Sequence, residues 1–454
     1  MSFNFTSEPD SKYSKFGKME APKPIGIEIA YKKGANKKTT NPDLEKQIQA
    51  ILADSKALPK DYSFAVTDPN VERVTLCDEL LERAPRSNLK IYSYTLHDGE
   101  GEQETIEQGG DEVQIANHWL LPAREFHGLW DSLIYEDSLK ENLLSFMHTT
   151  ALFSQKNVNA NLIACNRLVL LHGPPGTGKT SLCQALAQKL AIRMNKSIYM
   201  HFHLFEINSH SLFSKWFSES GKLVQKVFGQ INELCQDPTS MVCVLVDEVE
   251  SIAFAREAIS NNEPSDSIRV VNAVLTQLDR IRRFPNVMVL ATSNLTGSID
   301  LAFLDRADIV QYVGPPTKEA IYEIYRSAIA NLQQVGIVTD REELPSRAEL
   351  ATATSKGNAT SMLETLAEQS VGLSGRSLRK VPFLAHALHV QQDATTLVKF
   401  LTAMRSAVRR MQADKAMLGA KSDQVEVAAV AAATSDLSGS NGSSAAADER
   451  SVSM

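Results

Sequence analysis

The chain lacks the features that mark membrane proteins, secreted proteins and disulfide-stabilised proteins. Its longest apolar runs, Met241–Val246 and Val427–Ala433, fall far short of the roughly 18 residues that a membrane helix needs. The first 24 residues contain no apolar segment of the kind found in secretory signals. The five cysteines are odd in number and form no C-x-x-C pair. This pattern predicts free thiols and a reducing compartment, the cytosol or the nucleus.

The chain also has fewer basic than acidic residues. Lys and Arg total 47 against 54 Asp and Glu, so the formal net charge is -7. This balance argues against an affinity for nucleic acid that rests on neutralising phosphates, and we expect neither direct nucleic-acid binding nor membrane association. Hydrophobic residues make up 43% and charged residues 22% of the chain, as in soluble proteins with real cores. At roughly 150 residues per domain, 454 residues predict about three domains.

The changing pattern along the chain predicts an α/β protein with a helical C-terminal part. Ile25, Ile27 and Ile29 alternate with smaller or polar residues, which predicts a half-buried strand, and a helix is expected from Pro42. The acidic segment 98–112 is expected to be a solvated loop. From 167 to 312, apolar strands alternate with helical patterns, which favours a parallel sheet flanked by helices. We predict five segments: a disordered N-terminus (1–24), a small α/β domain (25–118), a large α/β domain (119–315), a helical domain (316–418) and a disordered Ser/Ala/Gly-rich tail (419–454).

The strongest motif is a glycine-rich phosphate-binding loop. It follows an apolar strand and precedes a helical pattern, which is the context that a P-loop requires. Its backbone N–H groups would surround phosphates, Lys179 would reach the β- and γ-phosphates, and the Thr180 hydroxyl would bind Mg²⁺. The candidate nucleotide-binding residues are Gly173, Pro174, Pro175, Gly176, Thr177, Gly178, Lys179, Thr180 and Ser181.

Two later strands end in polar residues that complete a nucleotide-hydrolysis site. The buried pattern Met241–Val246 is followed by Asp247, expected to hold Mg²⁺, and Glu248, expected to activate water. The next apolar strand leads to Asn294, which would contact the attacking water or the γ-phosphate. Each feature alone has a simpler explanation as a strand cap, but their order after the P-loop favours an ATPase.

Two arginines are candidates for sensing phosphate. Arg306 could project into the site of a neighbouring subunit in a ring and stabilise transition-state charge. The alternative is a surface ion pair with Asp305 or Asp308. Arg376 follows a Gly-rich lead into a helix and could contact the γ-phosphate, or could be an ordinary residue at a helix start.

Trp216 and Phe217 are adjacent large aromatics flanked by Lys and small polar residues. They cannot both face one core side of a helix. In a ring they would line the central channel and grip an extended polypeptide. The alternative is a tryptophan buried under a loop. A second channel candidate is the polar loop Ala258–Ser267.

Together these motifs and the residues around them resemble the pachytene-checkpoint AAA+ ATPase family. The resemblance is dense from about 119 to 405, thin over 25–118, and rests on motifs that AAA+ proteins in general do not share. One departure from the general AAA+ pattern is the segment from Leu304 to Asp308, which has one arginine where R-P-G-R-F-D has two. Whether Arg280, Arg282 or Arg283 assists Arg306 stays open. The segments that carry the resemblance are GPPGTGKTSLCQALAQKL, INSHSLFSKWFSESGKLV, VDEVESIAFAR, EPSDSIRVVNAVLTQLD, DRADIVQYVGPP and GLSGRSLRKVPFLAHALH.

The resemblance implies a homohexameric AAA+ ring that uses ATP and Mg²⁺ to convert HORMA-domain proteins from a closed to an open form. It implies that the N-terminal domain docks the substrate, often through a HORMA-like adaptor. Such activity would disassemble spindle-checkpoint complexes and regulate meiotic chromosome-axis proteins and recombination, in the nucleus and cytoplasm and on meiotic chromosomes. Residue by residue, it assigns the first sensor to Asn294, the pore loop to Trp216 and Phe217, and the second sensor to Arg376.

The sequence disfavours three other functions. A DNA-directed ring, such as a clamp loader or helicase, is disfavoured by the acidic balance and the aromatic pore segment. An ATP-dependent protease would need a catalytic domain, and the sequence has no H-E-x-x-H motif. A ring without catalytic activity is disfavoured because Lys179 and Glu248 are both present.

Overall fold

The computed structural model describes most of the chain between 25 and 417. The described ranges are 25–34, 42–54, 62–64, 66–77, 89–108, 111–135, 138–194, 199–208, 220–250, 266–294, 301–352 and 357–417. The predicted disordered segments 1–24 and 419–454 lie outside them. The described residues belong to two compact units. Within the described ranges, the sheet unit draws on 25–133, 138–173 and 179–312, and the helical unit on 134–135, 174–178 and 313–417.

The sheet unit begins with a four-stranded sheet. Its strands are β1 (Ile25–Tyr31), β2 (Ser63–Phe64), β3 (Val71–Leu76) and β4 (Leu89–Thr95), in the order β2-β3-β1-β4. β1 is antiparallel to β3 and parallel to β4. Helix α1 (Pro42–Asp54) packs Leu44, Ile48 and Leu52 into the core of this sheet. The helix begins at Pro42, as the sequence predicts.

The prediction that β1 is half-buried is wrong, because all seven of its residues are buried. The second face of β1 packs on helix α4 (Lys179–Met194). On this face the Glu28 carboxylate receives hydrogen bonds from Lys189 Nζ at 2.6 Å and Arg193 Nε at 3.2 Å. Burial alone would raise the pKa of Glu28, but these two cations hold it below its usual value. Glu28, the polar residue on the second face, therefore forms a buried ion pair and does not face solvent.

Replacing Glu28 by alanine should destabilise the protein by about 3–5 kcal/mol, because Lys189 would remain buried without its counter-charge. The Lys189 side chain is 5% exposed and that of Glu28 is 3% exposed. Urea denaturation followed by tryptophan fluorescence would measure the loss. Glu72→Ala, which breaks the solvent-exposed pair with Arg124, is the control and should cost far less. Equal losses in the two variants would contradict the prediction.

The second sheet has seven strands. They are β5 (Glu102–Gln108), β6 (Asp111–Leu121), β7 (Leu168–His172), β8 (His201–Asn208), β9 (Ser240–Asp247), β10 (Val287–Ser293) and β11 (Ile309–Tyr312). Their order is β11-β7-β10-β9-β8-β6-β5. The first five in this order are parallel, and β6 and β5 are added antiparallel at one edge. The five parallel strands confirm the parallel sheet predicted over 167–312.

The prediction of a solvated loop over 98–112 is wrong, since β5 lies inside it and pairs with β6. An edge strand needs only backbone hydrogen bonds on one side, so its sequence need not be apolar. Gly101 precedes this strand, where a Cβ would overlap the indole ring of Trp119. The glycine that suggests a loop therefore permits close packing. The predicted domain boundary at 118/119 also falls inside β6, which is paired on both sides, with β5 and with β8.

Helices cover both faces of the seven-stranded sheet. Helices α2 (Leu129–Ser132) and α3 (Leu139–Gln155) precede β7, and α4 follows it. Helices α5 (Ser220–Cys235) and α6 (Asp266–Ile281) pack against each other and share one core with β7, β9 and β10. A short helix, α7 (Leu301–Leu304), precedes β11. The buried faces of β9 and β10 fix the carboxyl ends of these strands, where the site residues lie.

The helical unit agrees with the predicted helical C-terminal part. Helices α8 (Lys318–Gln334), α9 (Arg347–Thr352), α10 (Asn358–Gln369) and α11 (Gly375–Ala385) are followed by a π-helical turn (His386–Val390) and a last helix, α12, over 397–417. Thr317 caps α8 by accepting a hydrogen bond from Ala320 N. The buried side chains of these helices form one core. No described helix combines the length and apolar character that a bilayer span requires.

Candidate active site

The phosphate-binding loop follows β7 directly, as the sequence predicts. Gly173, Gly176 and Gly178 have φ angles of 147°, 77° and 90°, which side chains rarely adopt. The Gly173 N–H donates to Ser293 O at 3.2 Å, so the loop starts beside the end of β10. Ser181 lies in the first turn of α4, whose N-terminus follows the loop.

Lys179 lies at the centre of the site in the sheet unit. The residue is 5% exposed, and its Nζ donates to Gly173 O at 2.8 Å and Asn294 Oδ1 at 2.9 Å. Burial lowers the pKa of His172, the last residue of β7, and the nearby Lys179 ammonium lowers it further. The predicted nucleotide lysine and the predicted sensor asparagine therefore meet, although 115 residues separate them.

Two side chains that could bind a divalent cation through oxygen, Thr180 and Asp247, lie together where Mg²⁺ is expected. The Thr180 hydroxyl donates to Asp247 Oδ1 at 2.8 Å. The hydroxyl of Thr292, on β10, hydrogen-bonds the same carboxylate oxygen. Mg²⁺ prefers oxygen ligands, keeps several waters and is usually held by one or two side chains together with substrate phosphates. Thr180 and Asp247 therefore fit this ion. Among the described residues there is no cluster of three or more His, Cys, Asp or Glu that could hold a metal alone.

Glu248 is held in an unusual backbone conformation. Its φ is 57°, in the left-handed region that costs a non-glycine residue of order 1 kcal/mol or more. Its N–H donates to Thr292 Oγ1 at 3.1 Å, and its Oε1 accepts from Asn294 Nδ2 at 3.3 Å. The turn at the end of β9 thus sends Asp247 towards Thr180 and Glu248 towards Asn294.

Two residues of this network have no role in the sequence-based prediction. Thr292 links Asp247 to the Glu248 backbone. Glu250 is 7% exposed, and its Oε1 accepts from Asn294 N at 3.0 Å. Its Oε2 is buried with no hydrogen-bond partner in the part of the chain that the structure describes. Both residues are visible in the sequence, but a β-branched residue in a strand and an acid two residues after Glu248 carry no distinctive signal.

Arg306 is bound to a partner other than the two aspartates considered from the sequence. Its Nε and Nη2 each donate to the Asp279 carboxylate at 2.9 Å. This hydrogen bonding holds the pKa of Asp279 below its usual value. Asp308 instead accepts from the backbone N–H groups of Asn166 and Leu168. Asp279 also pairs with Arg282 at 3.3 Å, which places one of the possible assisting arginines beside Arg306.

Arg376 lies beside the phosphate-binding loop within the helical unit. Its backbone N–H donates to Gly176 O at 3.1 Å, and its side chain is exposed. A Cβ at Gly176 would come within 3.0 Å of Ser374 Oγ, so this glycine permits the close approach. Ser374 caps α11 by accepting from Ser377 N. The Gly-rich lead before Arg376 therefore contacts the loop. The candidate pore residues Trp216 and Phe217 lie outside the described residues.

These observations define the class of protein. A parallel sheet with a phosphate loop after one strand, an acidic pair after a second and a polar sensor after a third is the arrangement of a P-loop ATPase. Residues 169–315 match the family model described as the ATPase family associated with various cellular activities (AAA). Residues 317–412 match the TRIP13-like, AAA+ ATPase lid C-terminal domain.

The similarity to individual proteins extends over most of the chain. The chain is 52% identical over 376 residues to the pachytene checkpoint protein 2 homolog of Danio rerio, and the match covers 81% of this chain and 88% of the relative. The Homo sapiens homolog is 47% identical over 395 residues, covering 83% and 91%. The solved structure of C. elegans PCH-2 superposes with a TM-score of 0.74 at 38% identity, covering 86% of this chain and 100% of that chain. The chain belongs to the pachytene checkpoint protein 2 family of AAA+ ATPases.

Proposed function

We propose that this AAA+ ATPase binds ATP with Mg²⁺ at the loop Gly173–Ser181. The observation that carries this proposal is the hydrogen bond between Thr180 and Asp247, which joins two Mg²⁺-type ligands at the start of α4. Backbone N–H groups and Lys179 would hold the phosphates. When bound, Mg²⁺ would neutralise charge on the phosphate oxygens.

Glu248 is the proposed general base for hydrolysis. Its carboxylate would take a proton from the water that attacks the γ-phosphorus, while the bond to the leaving ADP oxygen breaks. Asn294 contacts both Glu248 and Lys179, so its amide can hold the base and respond to the γ-phosphate. Arg376 would contact that phosphate from the helical unit, since its backbone lies against Gly176.

The energy of hydrolysis is proposed to remodel HORMA-domain proteins from the closed to the open form. Membership of the pachytene checkpoint protein 2 family supports this role, and so does the resemblance of the segment that holds Trp216 and Phe217. In a homohexamer these aromatics would grip the substrate, and residues 25–118 would dock it, directly or through a HORMA-like adaptor. The proposed sites of action are the nucleus, the cytoplasm and meiotic chromosomes.

A HORMA-conversion assay tests this function. Purified closed HORMA-domain protein, with and without an adaptor, is incubated with the chain and ATP, and the open form is measured over time. We expect conversion by the parent chain, and loss of conversion in Trp216→Ala with ATP hydrolysis retained. ATP hydrolysis without conversion in the parent chain would contradict remodelling.

The alternative, a ring ATPase acting on DNA, is tested in the same preparation. The net charge of -7 gives no general attraction to phosphates. We therefore expect single- or double-stranded DNA to leave ATP turnover unchanged at physiological salt. Strong stimulation by DNA, with no effect of HORMA-domain protein, would favour the alternative.

A further inference from the structure

Three consecutive carbonyl oxygens of the phosphate-binding loop are hydrogen-bonded by two groups of the helical unit. The Tyr135 hydroxyl donates to Thr177 O at 3.1 Å and to Gly178 O at 3.2 Å. Because a phenol carries one hydrogen, the two carbonyls share it. The preceding carbonyl, that of Gly176, accepts from Arg376 N at 3.1 Å. All five residues belong to the same compact unit.

Fixing these carbonyls also fixes the direction of the neighbouring N–H groups. In a trans peptide the N–H of the next residue points opposite to the carbonyl. The hydroxyl of Tyr135 therefore turns the N–H groups of Gly178 and Lys179 away from itself. Glycine at position 178, with φ at 90°, allows the backbone to turn freely at this point. The contacts of the Tyr135 hydroxyl with Thr177 O and Gly178 O favour one orientation.

The position of Tyr135 is itself fixed by its neighbour. Ile134 packs against the buried core of the helical unit. Tyr135 is half-buried, and its hydroxyl reaches the loop carbonyls from this anchored segment. Neither residue has a role in the sequence-based prediction, because a tyrosine in an irregular segment carries no functional signal. The structure thus gives this segment a defined contact with the loop.

We propose that Tyr135 is a positioning residue of the nucleotide site. Its hydroxyl orients the Gly178 and Lys179 N–H groups so that they can donate to nucleotide phosphates. The inference rests on the proposed binding of nucleotide at this loop and is independent of the protein substrate. Because the orientation is fixed before any nucleotide binds, these N–H groups should donate equally well to the phosphates of ATP and of ADP.

The test is the variant Tyr135→Phe, which keeps the ring and removes the hydroxyl. We expect the Kd for fluorescent ATP and ADP analogues and the KM for ATP to rise about 3- to 10-fold, as for the loss of one hydrogen bond. The kcat should stay within about 2-fold, because the lost interaction is equal in the ground and transition states. The matched control is Tyr322→Phe, whose hydroxyl donates to Pro345 O at 2.8 Å in the same unit.

Hydrogen exchange in the nucleotide-free protein gives a second readout. Amides of residues 176–180 should exchange faster in Tyr135→Phe than in the parent chain, and at the parental rate in Tyr322→Phe. Unchanged nucleotide affinity and unchanged exchange in Tyr135→Phe would overturn the proposal, as would an equal loss of affinity in the two variants. Failure of the parent chain to bind nucleotide would instead overturn the proposed function.

Discussion

Glu248→Gln should lower steady-state ATP turnover by about 10²- to 10⁴-fold, the contribution that a general base typically makes. The amide oxygen of the new side chain can still accept from Asn294 Nδ2, so the geometry at the end of β9 should persist. What is lost is the ability to take a proton from water. Nucleotide affinity should be retained, because Lys179, Thr180 and Asp247 keep their contacts. Phosphate release and binding of a fluorescent nucleotide measure the two effects separately.

The matched control for this variant is Glu233→Gln, which makes the same chemical change on the exposed surface of α5. Its turnover should stay within about 2-fold of the parent chain. Parental turnover in Glu248→Gln would show that Glu248 is not the base. If turnover falls as expected, the variant should hold its protein substrate in the proposed homohexamer. Affinity capture followed by identification of the retained HORMA-domain protein would then reveal the natural partner.

The main contacts of the site could be predicted from the sequence because they follow from chain order. Asp247 and Asn294 each come directly after an apolar strand, and the carboxyl ends of parallel strands meet at one edge of a sheet. The P-loop after β7 starts at the same edge, beside β10. The contact of Lys179 with Asn294, and that of Thr180 with Asp247, follow from this topology.

The supporting contacts could not be predicted, because each depends on residues with no distinctive pattern. Thr292 looks like an ordinary strand residue, yet its hydroxyl joins Asp247 to the Glu248 backbone. Tyr135 lies in an irregular segment, and only the folded chain brings its hydroxyl to the loop carbonyls. Asp279 lies on a helix 27 residues before Arg306, at a spacing that predicts no contact.

The N-terminal region shows where alternation of apolar and polar residues misleads. Glu28 occupies the face of β1 expected to be solvated, but α4 covers it and supplies Lys189. The acidic strand β5 has the composition of a loop, but it pairs with β6 at the edge of the sheet. For Glu28 the deciding partner lies 161 residues away, so the local pattern contains no information about it. For β5 the partner is the next strand along the chain, with Gln108 opposite Asp111, and the acidic composition hides this pairing.

Arg306→Ala should reduce ATP turnover by about 10³-fold while nucleotide binding survives, if Arg306 stabilises transition-state charge in a neighbouring subunit as proposed. Within one chain, Arg306 is bound by Asp279 through two hydrogen bonds. This pair leaves 26% of the arginine side chain exposed. A guanidinium has five donors, so Asp279 can orient Arg306 while other N–H groups remain able to meet a phosphate.

Asp279→Asn separates this role from that of a structural ion pair. It removes the counter-charge and keeps a hydrogen-bond acceptor for Arg306. If the pair is only structural, Arg306→Ala and Asp279→Asn should lower the unfolding temperature similarly and leave turnover per folded subunit unchanged. If Arg306 acts on phosphate, Arg306→Ala should abolish turnover and Asp279→Asn should reduce it far less.

Mixed assemblies decide whether the arginine acts between subunits. Lys179→Ala subunits cannot hydrolyse ATP but retain Arg306, and Arg306→Ala subunits retain a complete set of loop and acidic residues. Each preparation alone should be inactive. A mixture should recover part of the parental turnover, because a Lys179→Ala neighbour can supply its arginine to an Arg306→Ala site. Absence of recovery in assemblies shown by mass measurement to contain both variants would rule out action between subunits.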